Sequence, residues 1–247
     1  MATLINPHRF GVAVAWNTYA ASLSPWAWLK LDDAPGGTVA SDASGNGRNG
    51  NYPNGTFGSG DVYPDRQAAS LIDGSTYGII TGGGGNNELI GTAYGNSMSG
   101  SWTFGMALKS TSTTAAKYLM GNGSFQMSVS LNWDFVAFAA AAGAISLSYD
   151  TSGANANGLT ASSSGWNDGS AHLIMIEHDA VADTVSIWKD GVRIATRTRA
   201  GTKPSLSATD LYILRANPIA GMGMDEVLFF NKVLTSGEHS TLASYVL

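Results

Sequence analysis

Short β-prone segments, separated by turn residues, recur along most of this 247-residue chain. Segments of this length that are rich in Val, Ile, Thr and aromatic residues are typical of strands. The 31 glycines supply the turns that a many-stranded fold requires. An all-β fold is therefore expected. The predicted strands are 11–18, 26–32, 67–73, 77–81, 101–109, 117–121, 124–130, 134–139, 144–149, 171–178, 184–189, 192–198, 210–215 and 224–230.

A helical pattern is found in the last residues of the chain. Thr235 or Ser236 can cap a helix, and Glu238 falls in its first turn, where a carboxylate favours the helix dipole. Leu242 and Tyr245 are then spaced to face one core. The sequence therefore predicts a short C-terminal helix.

Two hairpins are predicted between neighbouring strands. Asp190-Gly191 lies between two apolar β-segments, which is a strong signal for a type I′ turn. A longer loop, 179–183, joins the strand before it to the same hairpin.

The composition excludes several classes of protein. Charged residues make up 13% of the chain, against about 25% in a typical soluble domain. The net charge is −5 and no basic cluster is present, so nucleic-acid binding is not expected. The chain has no cysteine, which rules out disulfides, and its apolar runs are too short for membrane insertion. The apolar run 10–16 is at the lower limit for a signal peptide, so none is expected.

Segments near the two ends of the chain resemble the two ends of the laminin-G-like (concanavalin A-like) domain. They are 28–33 with 42–50 at the front, and 224–235 at the back. Segments between them match this family in order and spacing: Ser101–Leu108, Trp166–His172 and Lys189–Val192. The resemblance covers 25–247 and implies an antiparallel jelly-roll β-sandwich with a short C-terminal helix. This fold serves many functions and does not choose among them.

Residues 1–24 precede the region of resemblance. They are predicted to form either an arm that docks onto a partner or an extra strand of the domain's own sheet. The opening Leu4–Phe10 is similar to the start of many tailed-phage structural proteins. This similarity implies a multi-copy or homo-oligomeric protein on the virion surface, outside the cell, with other virion structural proteins as partners of residues 1–24.

The resemblance also implies a structural calcium ion. In this superfamily a calcium often joins an early Asp-rich loop to a late strand. Carried over, Asp42 and Asp225 are the predicted side-chain ligands, with a carbonyl near Gly47. The alternative is that Asp42 and Asn46 stabilise the turn through local hydrogen bonds.

Two tryptophans are predicted to bind carbohydrate. Trp133 lies between polar residues at a strand break, and Trp188 is opposite in phase to the apolar Ile187. An exposed indole beside polar groups suits a sugar ring. Alternatively, either ring covers a hydrophobic edge or fills a subunit contact. Trp26, Trp28 and Trp102 are predicted to be core residues.

An enzymatic role is not expected. Glycanases of this superfamily carry Glu-x-Asp-x-x-Glu on one strand, and their chemistry needs two carboxyl groups about 5 Å apart. The nearest match begins at Glu177 and Asp179, but Ala182 stands where the second Glu should be. Asp183 is one residue late, and in a strand a shift of one residue moves a side chain to the opposite face.

The leading hypothesis is a non-enzymatic virion surface or appendage protein whose lectin-like domain attaches to host-surface glycan. One alternative is a purely structural capsid or tail decoration protein without a ligand. The second alternative is a polysaccharide hydrolase that uses Glu177.

Overall fold

The protein is an antiparallel β-sandwich, and its described residues include two short helices on one face. The computed structural model describes residues 16–33, 38–51, 62–65, 77–80, 89–91, 100–109, 111, 117–122, 135–141, 144–150, 159–161, 165–198, 211–213 and 223–245. Every registered strand pair in these residues is antiparallel. The predicted all-β sandwich with a C-terminal helix is confirmed.

The described strands are between two and nine residues long. In chain order they are β1 (Ala27–Leu29), β2 (Val39–Ala40), β3 (Gly50–Asn51), β4 (Val62–Asp65), β5 (Tyr77–Ile80), β6 (Leu89–Gly91), β7 (Trp102–Lys109), β8 (Lys117–Asn122), β9 (Phe135–Ala141), β10 (Ala144–Asp150), β11 (Leu159–Ala161), β12 (Ala171–Asp179), β13 (Thr184–Lys189), β14 (Val192–Thr198), β15 (Leu211–Ile213) and β16 (Gly223–Phe230). Helix α1 covers residues 16–22 and helix α2 covers Ser236–Ala243. Predicted strands 67–73 and 124–130 lie outside the described residues.

The strands form two eight-stranded sheets. Sheet 1 has the order β14-β13-β12-β7-β16-β5-β4, and β1 also pairs with β16. Sheet 2 has the order β11-β10-β9-β8-β15-β6-β3-β2. Ile145, Leu159 and Ala161 of sheet 2 belong to the same buried cluster as the inner face of sheet 1, so this cluster is the core of the sandwich.

The central strands of sheet 1, β7, β12 and β16, are buried on both faces. The inner face of the sheet contributes Phe104, Ile176 and Ile187 to the core between the sheets. The opposite, outer face contributes Met175 and Trp188 to a second apolar cluster. Residues 102–108 and 172–178 are all buried, because these central strands are covered on both faces.

Helices α1 and α2 cover the outer face of sheet 1. Trp16, Ala20 and Leu23 of the first segment pack in the outer cluster with Leu242 of α2. Residues 16–18, predicted as the end of a strand, are therefore helical instead. Apolar residues at positions 16, 20 and 23 follow the helical period, and this spacing buries one face against the sheet. The division into segments 1–24 and 25–247 stays a prediction.

The predicted cap and turn are present. Thr235 accepts a hydrogen bond from the Glu238 backbone N–H, and Glu238 accepts one from the Thr235 backbone N–H, which is a capping box. Burial raises the pKa of Glu238, but these hydrogen bonds and nearby Lys232 outweigh it and lower the pKa. Asp190 and Gly191 both have positive φ, as a type I′ turn requires.

Candidate functional site

The loop 42–49 is organised around the carboxylate of Asp42. Oδ1 accepts hydrogen bonds from the Trp28 and Ser44 backbone N–H groups, both at 2.9 Å. Oδ2 accepts from the Ser44 hydroxyl and the Arg48 backbone N–H, both at 2.8 Å. Burial raises the pKa of Asp42, but these hydrogen bonds outweigh it, so the pKa is lowered. Asp42 therefore holds the loop against β1.

This geometry gives little support to a calcium ion on Asp42. A carboxylate offers about four acceptor positions, and donors already occupy four on Asp42. Gly47 has a φ of +69° and supports a turn of the exposed loop. Among the described residues, no group of three or more His, Cys, Asp or Glu side chains could hold a metal ion. Calcium stays a prediction that these residues do not fit.

Asp225 lies fully buried in β16, opposite Ala107 of β7. The register shifts between Asp225 and Leu228, which is a β-bulge. Glu226, inside the bulge, has a φ of +53° and accepts a hydrogen bond from the Trp28 indole N–H. The bulge thus turns a second buried carboxylate towards β1.

Trp188 faces away from the sandwich core, as its phase predicts, but it is not exposed. Only 5% of the residue is accessible, because α2 lies over it. The His239 ring stacks on the indole with centroids 3.9 Å apart, and the Arg193 guanidinium lies 5.6 Å from the ring centroid. The predicted sugar platform at Trp188 is therefore wrong in its accessibility. Trp133 lies outside the described residues.

Glu177 lies under the same helix. Its Oε2 is 3.0 Å from Nε2 of His239, and both residues are buried. The side chain is held by α2 and is closed to a polysaccharide in this arrangement. Asp179, the next residue of the predicted motif, accepts hydrogen bonds from the Val181 and Ala182 backbone N–H groups and stabilises the turn after β12.

A second arginine–tryptophan stack lies at the surface. The Arg48 guanidinium is 4.1 Å from the centroid of the Trp26 ring, and both residues are half-buried. The indole packs edge-on against Phe229 at 5.3 Å, which anchors it at the rim of the core. Sequence reasoning treated Trp26 as a core residue and missed this stack. The signal available to it was a Trp beside a loop that contains both Asn and Arg.

Two side chains of the loop hold the stack in place. Asn46 donates from Nδ2 to the carbonyl oxygens of Pro25 and Trp26, at 3.1 and 3.2 Å. Arg48 donates from Nη1 to the Trp26 carbonyl oxygen at 3.3 Å. The loop therefore presents a planar cation over a partly open ring, next to the exposed side chain of Asn49.

A histidine, His172, lies between two carboxylates at the start of β12 in sheet 1. His172 Nδ1 is 2.7 Å from Asp190 Oδ2, and its Nε2 is 3.0 Å from Asp168 Oδ1. Both contacts are hydrogen bonds only when both ring nitrogens carry protons. Hydrogen bonds from the Ser170 backbone N–H and from His172 lower the pKa of Asp168 to about 2. This cluster pins the loop 165–170 to the β13–β14 turn.

Solved structures share this fold at low sequence identity. The Trypanosoma rangeli sialidase in complex with 2,3-difluorosialic acid matches with a TM-score of 0.62 and 13% identity, over 96% of this chain and 38% of the sialidase. The binding domain of botulinum neurotoxin DC in complex with SialylT matches at 0.58 and 13%, over 90% and 51%. The binding domain of Paraclostridial Mosquitocidal Protein 1 matches at 0.61 and 10%, over 90% and 52%.

The chain spans between about two fifths and one half of the length of these proteins. The likeness shows a shared β-sandwich fold. No protein-family model and no curated protein sequence matches the chain. Among the described helices, none is long and apolar enough to cross a membrane.

Proposed function

We propose that this chain is a non-enzymatic glycan-binding module on the surface of a tailed-phage virion. The observation that carries the glycan-binding part is the fold, which is shared over nine tenths of the chain with binding domains. One of those domains is in complex with SialylT, and cell entry of botulinum neurotoxin type C, a further match, is dependent upon interaction with two ganglioside molecules. The virion location is supported by the similarity of residues 4–10 to phage structural proteins.

Attachment is the mechanism that this proposal requires. Weak contacts to sugar rings at one site become useful when many copies on one particle engage the same surface, because each later contact is intramolecular. The covered position of Glu177 under α2 supports binding over hydrolysis.

Binding of the purified chain to a panel of bacterial surface polysaccharides tests the glycan-binding part. We expect saturable binding by isothermal titration calorimetry, and we expect a chelator to leave it unchanged because Asp42 is filled by hydrogen-bond donors. No binding across the panel would overturn the proposal in favour of a ligand-free decoration protein. Cleavage of any polysaccharide, abolished by Glu177→Gln, would favour the hydrolase instead.

A shortened chain tests docking through the N-terminal segment. Deletion of residues 1–24 would remove Trp16, Ala20 and Leu23 from the outer cluster and expose apolar surface. Deletion of residues 1–15 keeps α1 and is the better variant. We expect immunogold labelling of source virions with the full chain and loss of labelling with the deletion. Unlabelled virions that carry the full chain would contradict the virion location.

A further inference from the structure

We propose that the side chains of Asp168, His172 and Asp190 form a proton-operated clamp on the loop 165–170. The clamp is closed while both imidazole nitrogens carry a proton, and the loop opens when the ring loses one of them. His172 Nδ1 lies 2.7 Å from Asp190 Oδ2, and its Nε2 lies 3.0 Å from Asp168 Oδ1. The clamp acts on the protein's own loop, so it operates with or without a glycan.

The number of protons on the His172 ring decides whether both contacts are attractive. An ionised carboxylate only accepts hydrogen bonds, so each ring nitrogen that faces one must carry a proton. A neutral imidazole carries one proton and turns the lone pair of its other nitrogen towards a carboxylate oxygen. Loss of one proton therefore breaks one arm of the clamp and replaces a hydrogen bond by repulsion.

The burial of His172 determines which part of the clamp can move. Its side chain is 9% exposed, whereas those of Asp168 and Asp190 are 53% and 40% exposed. The ring is also fixed by its place in β12, between β7 and β13 in the sheet. An unfavourable contact at the ring is therefore relieved by the movement of an exposed carboxylate and not of the imidazole.

The two carboxylates differ in how firmly they are held. Asp190 is tied to β12 without the imidazole, because its Oδ1 accepts from the Leu173 backbone N–H at 3.0 Å and its own N–H donates to the Leu173 carbonyl oxygen at 2.9 Å. Asp168 Oδ1 accepts from the Ser170 backbone N–H at 2.7 Å, a bond within the loop itself. When one proton is lost, the other stays on Nδ1 opposite Asp190, and the Asp168 arm opens.

The Asp168 arm holds the part of the loop that follows Trp166. Trp166 is 1% exposed and belongs to the core between the sheets. Gly165 is tied separately, because its carbonyl oxygen accepts a hydrogen bond from Lys189 Nζ at 3.1 Å. Loss of the Asp168 arm therefore releases residues 168–170 and leaves the start of the loop attached. Such a local opening needs less free energy than unfolding of the whole domain.

The described strands around the ring also carry cations: Lys109 of β7, Lys189 at the end of β13 and Arg193 of β14. Lys189 is directed to the loop carbonyl, and Arg193 lies over an indole ring. Lys109 pairs with the residue that precedes His172 in the β7–β12 ladder. The imidazole itself contacts the two carboxylates of the clamp, so its protonation is coupled most directly to them.

Helix α2 approaches the β13–β14 turn through an uncharged group. Ser240 Oγ donates to the Gly191 carbonyl oxygen at 3.4 Å. The ionisable side chains of the helix have other partners, since His239 lies at Glu177 and Glu238 closes the capping box. Within the described residues, the helix therefore adds no charged contact to the clamp.

The closed state has two pH limits, which come from different groups. Hydrogen bonds from the Ser170 backbone N–H and from His172 lower the pKa of Asp168 to about 2, so this carboxylate stays ionised above that pH. The other limit is the pH at which His172 loses its second proton. The clamp therefore stabilises the loop between these limits, and on the alkaline side it opens through the imidazole.

A pH titration of the whole chain by NMR tests the clamp. Long-range ¹H–¹⁵N spectra of His172 show whether one or both ring nitrogens carry a proton, from about pH 5 to about pH 10. The amide exchange rate of residues 168–170, divided into the intrinsic rate at each pH, gives the protection of the loop. We expect both nitrogens to be protonated at the acid end. Loop protection should then fall at least about tenfold with the midpoint of the ring titration, because a hydrogen bond to a charged group is lost.

Amides of β7 are the internal control, because this strand is buried on both faces, and their protection should stay constant. Loop protection that does not follow the His172 titration would overturn the proposal. A ring that carries the same number of protons over the whole range would overturn it as well.

Two variants remove the proton dependence in different ways. In Asp168→Asn the side-chain amide can donate to a bare ring nitrogen or accept from a protonated one, so loop protection should not follow the ring titration. His172→Gln removes the titrating group, and it decides the question if the first variant does not fold. Asp179→Asn is the matched control, since Asp179 stabilises the turn at the other end of β12, and it should keep the wild-type profile. A wild-type pH profile in Asp168→Asn or in His172→Gln would show that the clamp does not operate the loop.

Discussion

The described residues form two arginine–tryptophan stacks, and their surroundings differ. Arg193 lies over Trp188, whose other contacts are the stacked His239 ring and the outer cluster under α2. Arg48 lies over Trp26, a half-buried residue whose ring packs against the rim of the core. The same pair of residue types therefore stabilises a covered layer in one place and forms an accessible surface in the other. Within the part of the chain that the structure describes, a helix lies over the first stack and not over the second.

The largest expected effect is the loss in the free energy of unfolding when the tryptophan ring of either stack is removed. Trp188→Ala empties a packed position and should lower the free energy of unfolding by about 3–5 kcal/mol. Trp26→Ala removes a half-buried side chain and should cost about 1–2 kcal/mol, because less apolar area leaves the core. Urea denaturation measures both. Equal losses would show that the two rings contribute alike and would contradict the comparison.

The Glu177–His239 contact beneath α2 should have the next largest effect. His239→Leu leaves the Glu177 carboxylate buried without the imidazole 3.0 Å away, and it should cost about 3–4 kcal/mol. The control is the double variant His239→Leu with Glu177→Leu, which replaces both groups by apolar side chains and should recover most of the loss. Denaturation midpoints of the two proteins decide this. A double variant as unstable as the single one would mean that helix packing, and not the pair, carries the effect.

Gly191 and Gly45 both have a positive φ but differ in the space around them. A Cβ added at Gly191, with a φ of +75°, would lie 2.6 Å from the Ser240 Cα in α2. Gly191→Ala should therefore cost about 2–3 kcal/mol, from the left-handed backbone and from overpacking. Gly45, with a φ of +82°, has nothing within 4 Å of an added Cβ, so Gly45→Ala should cost only about 1 kcal/mol. Similar midpoints for both variants would contradict the close approach of the β13–β14 turn to the helix.

The smallest expected effect is a pH dependence at the loop 165–170. The pKa of Asp168 is about 2 in the folded protein and is lowered from 3.8, so its ionised form stabilises the fold. This contribution is fully present above about pH 3.8 and is lost as the pH falls towards 2. Asp168→Asn should have a lower denaturation midpoint than the wild type at pH 6, and the gap should shrink below pH 3.8. A gap that is constant with pH would mean that the carboxylate charge is not involved.

Much of the fold could be predicted from local patterns. The runs 101–109 and 171–178 were predicted as strands from their alternation and β-propensity, and the structure covers both of their faces. The C-terminal helix was predictable because Thr235 and Glu238 satisfy the first backbone N–H groups of a helix. The very short strands, such as β2 and β3 with two residues each, carry too little pattern to be recognised.

The N-terminal segment shows where the local pattern was misleading. Val12, Val14 and Trp16 alternate as they would in a strand, yet residues 16–22 are helical. The helical spacing of Trp16, Ala20 and Leu23 was also present in the sequence. Contact with the outer face of sheet 1 favours this second pattern, because it buries all three side chains.

The site residues follow the same division. The phase of the β13 strand determined that Trp188 points away from the sandwich core, since side chains alternate along a strand. Whether its ring is exposed to solvent depends on α2. This helix begins at Ser236, 47 residues after β13 ends at Lys189. The sequence around Asp42 also indicated a turn that local hydrogen bonds stabilise. In the structure, four hydrogen bonds to the Asp42 carboxylate stabilise this loop.

By itself the sequence determined the strand periods, the turns and the helix cap, because each depends on residues close together in the chain. It also excluded disulfides, because the chain has no cysteine. Tertiary structure alone decided which tryptophan is covered, which arginine lies over a half-open ring, and that Glu177 pairs with His239, 62 positions away. These outcomes depend on which surfaces the packing of helix on sheet removes from water. Local patterns do not contain that information, since burial is a property of contacts between distant segments.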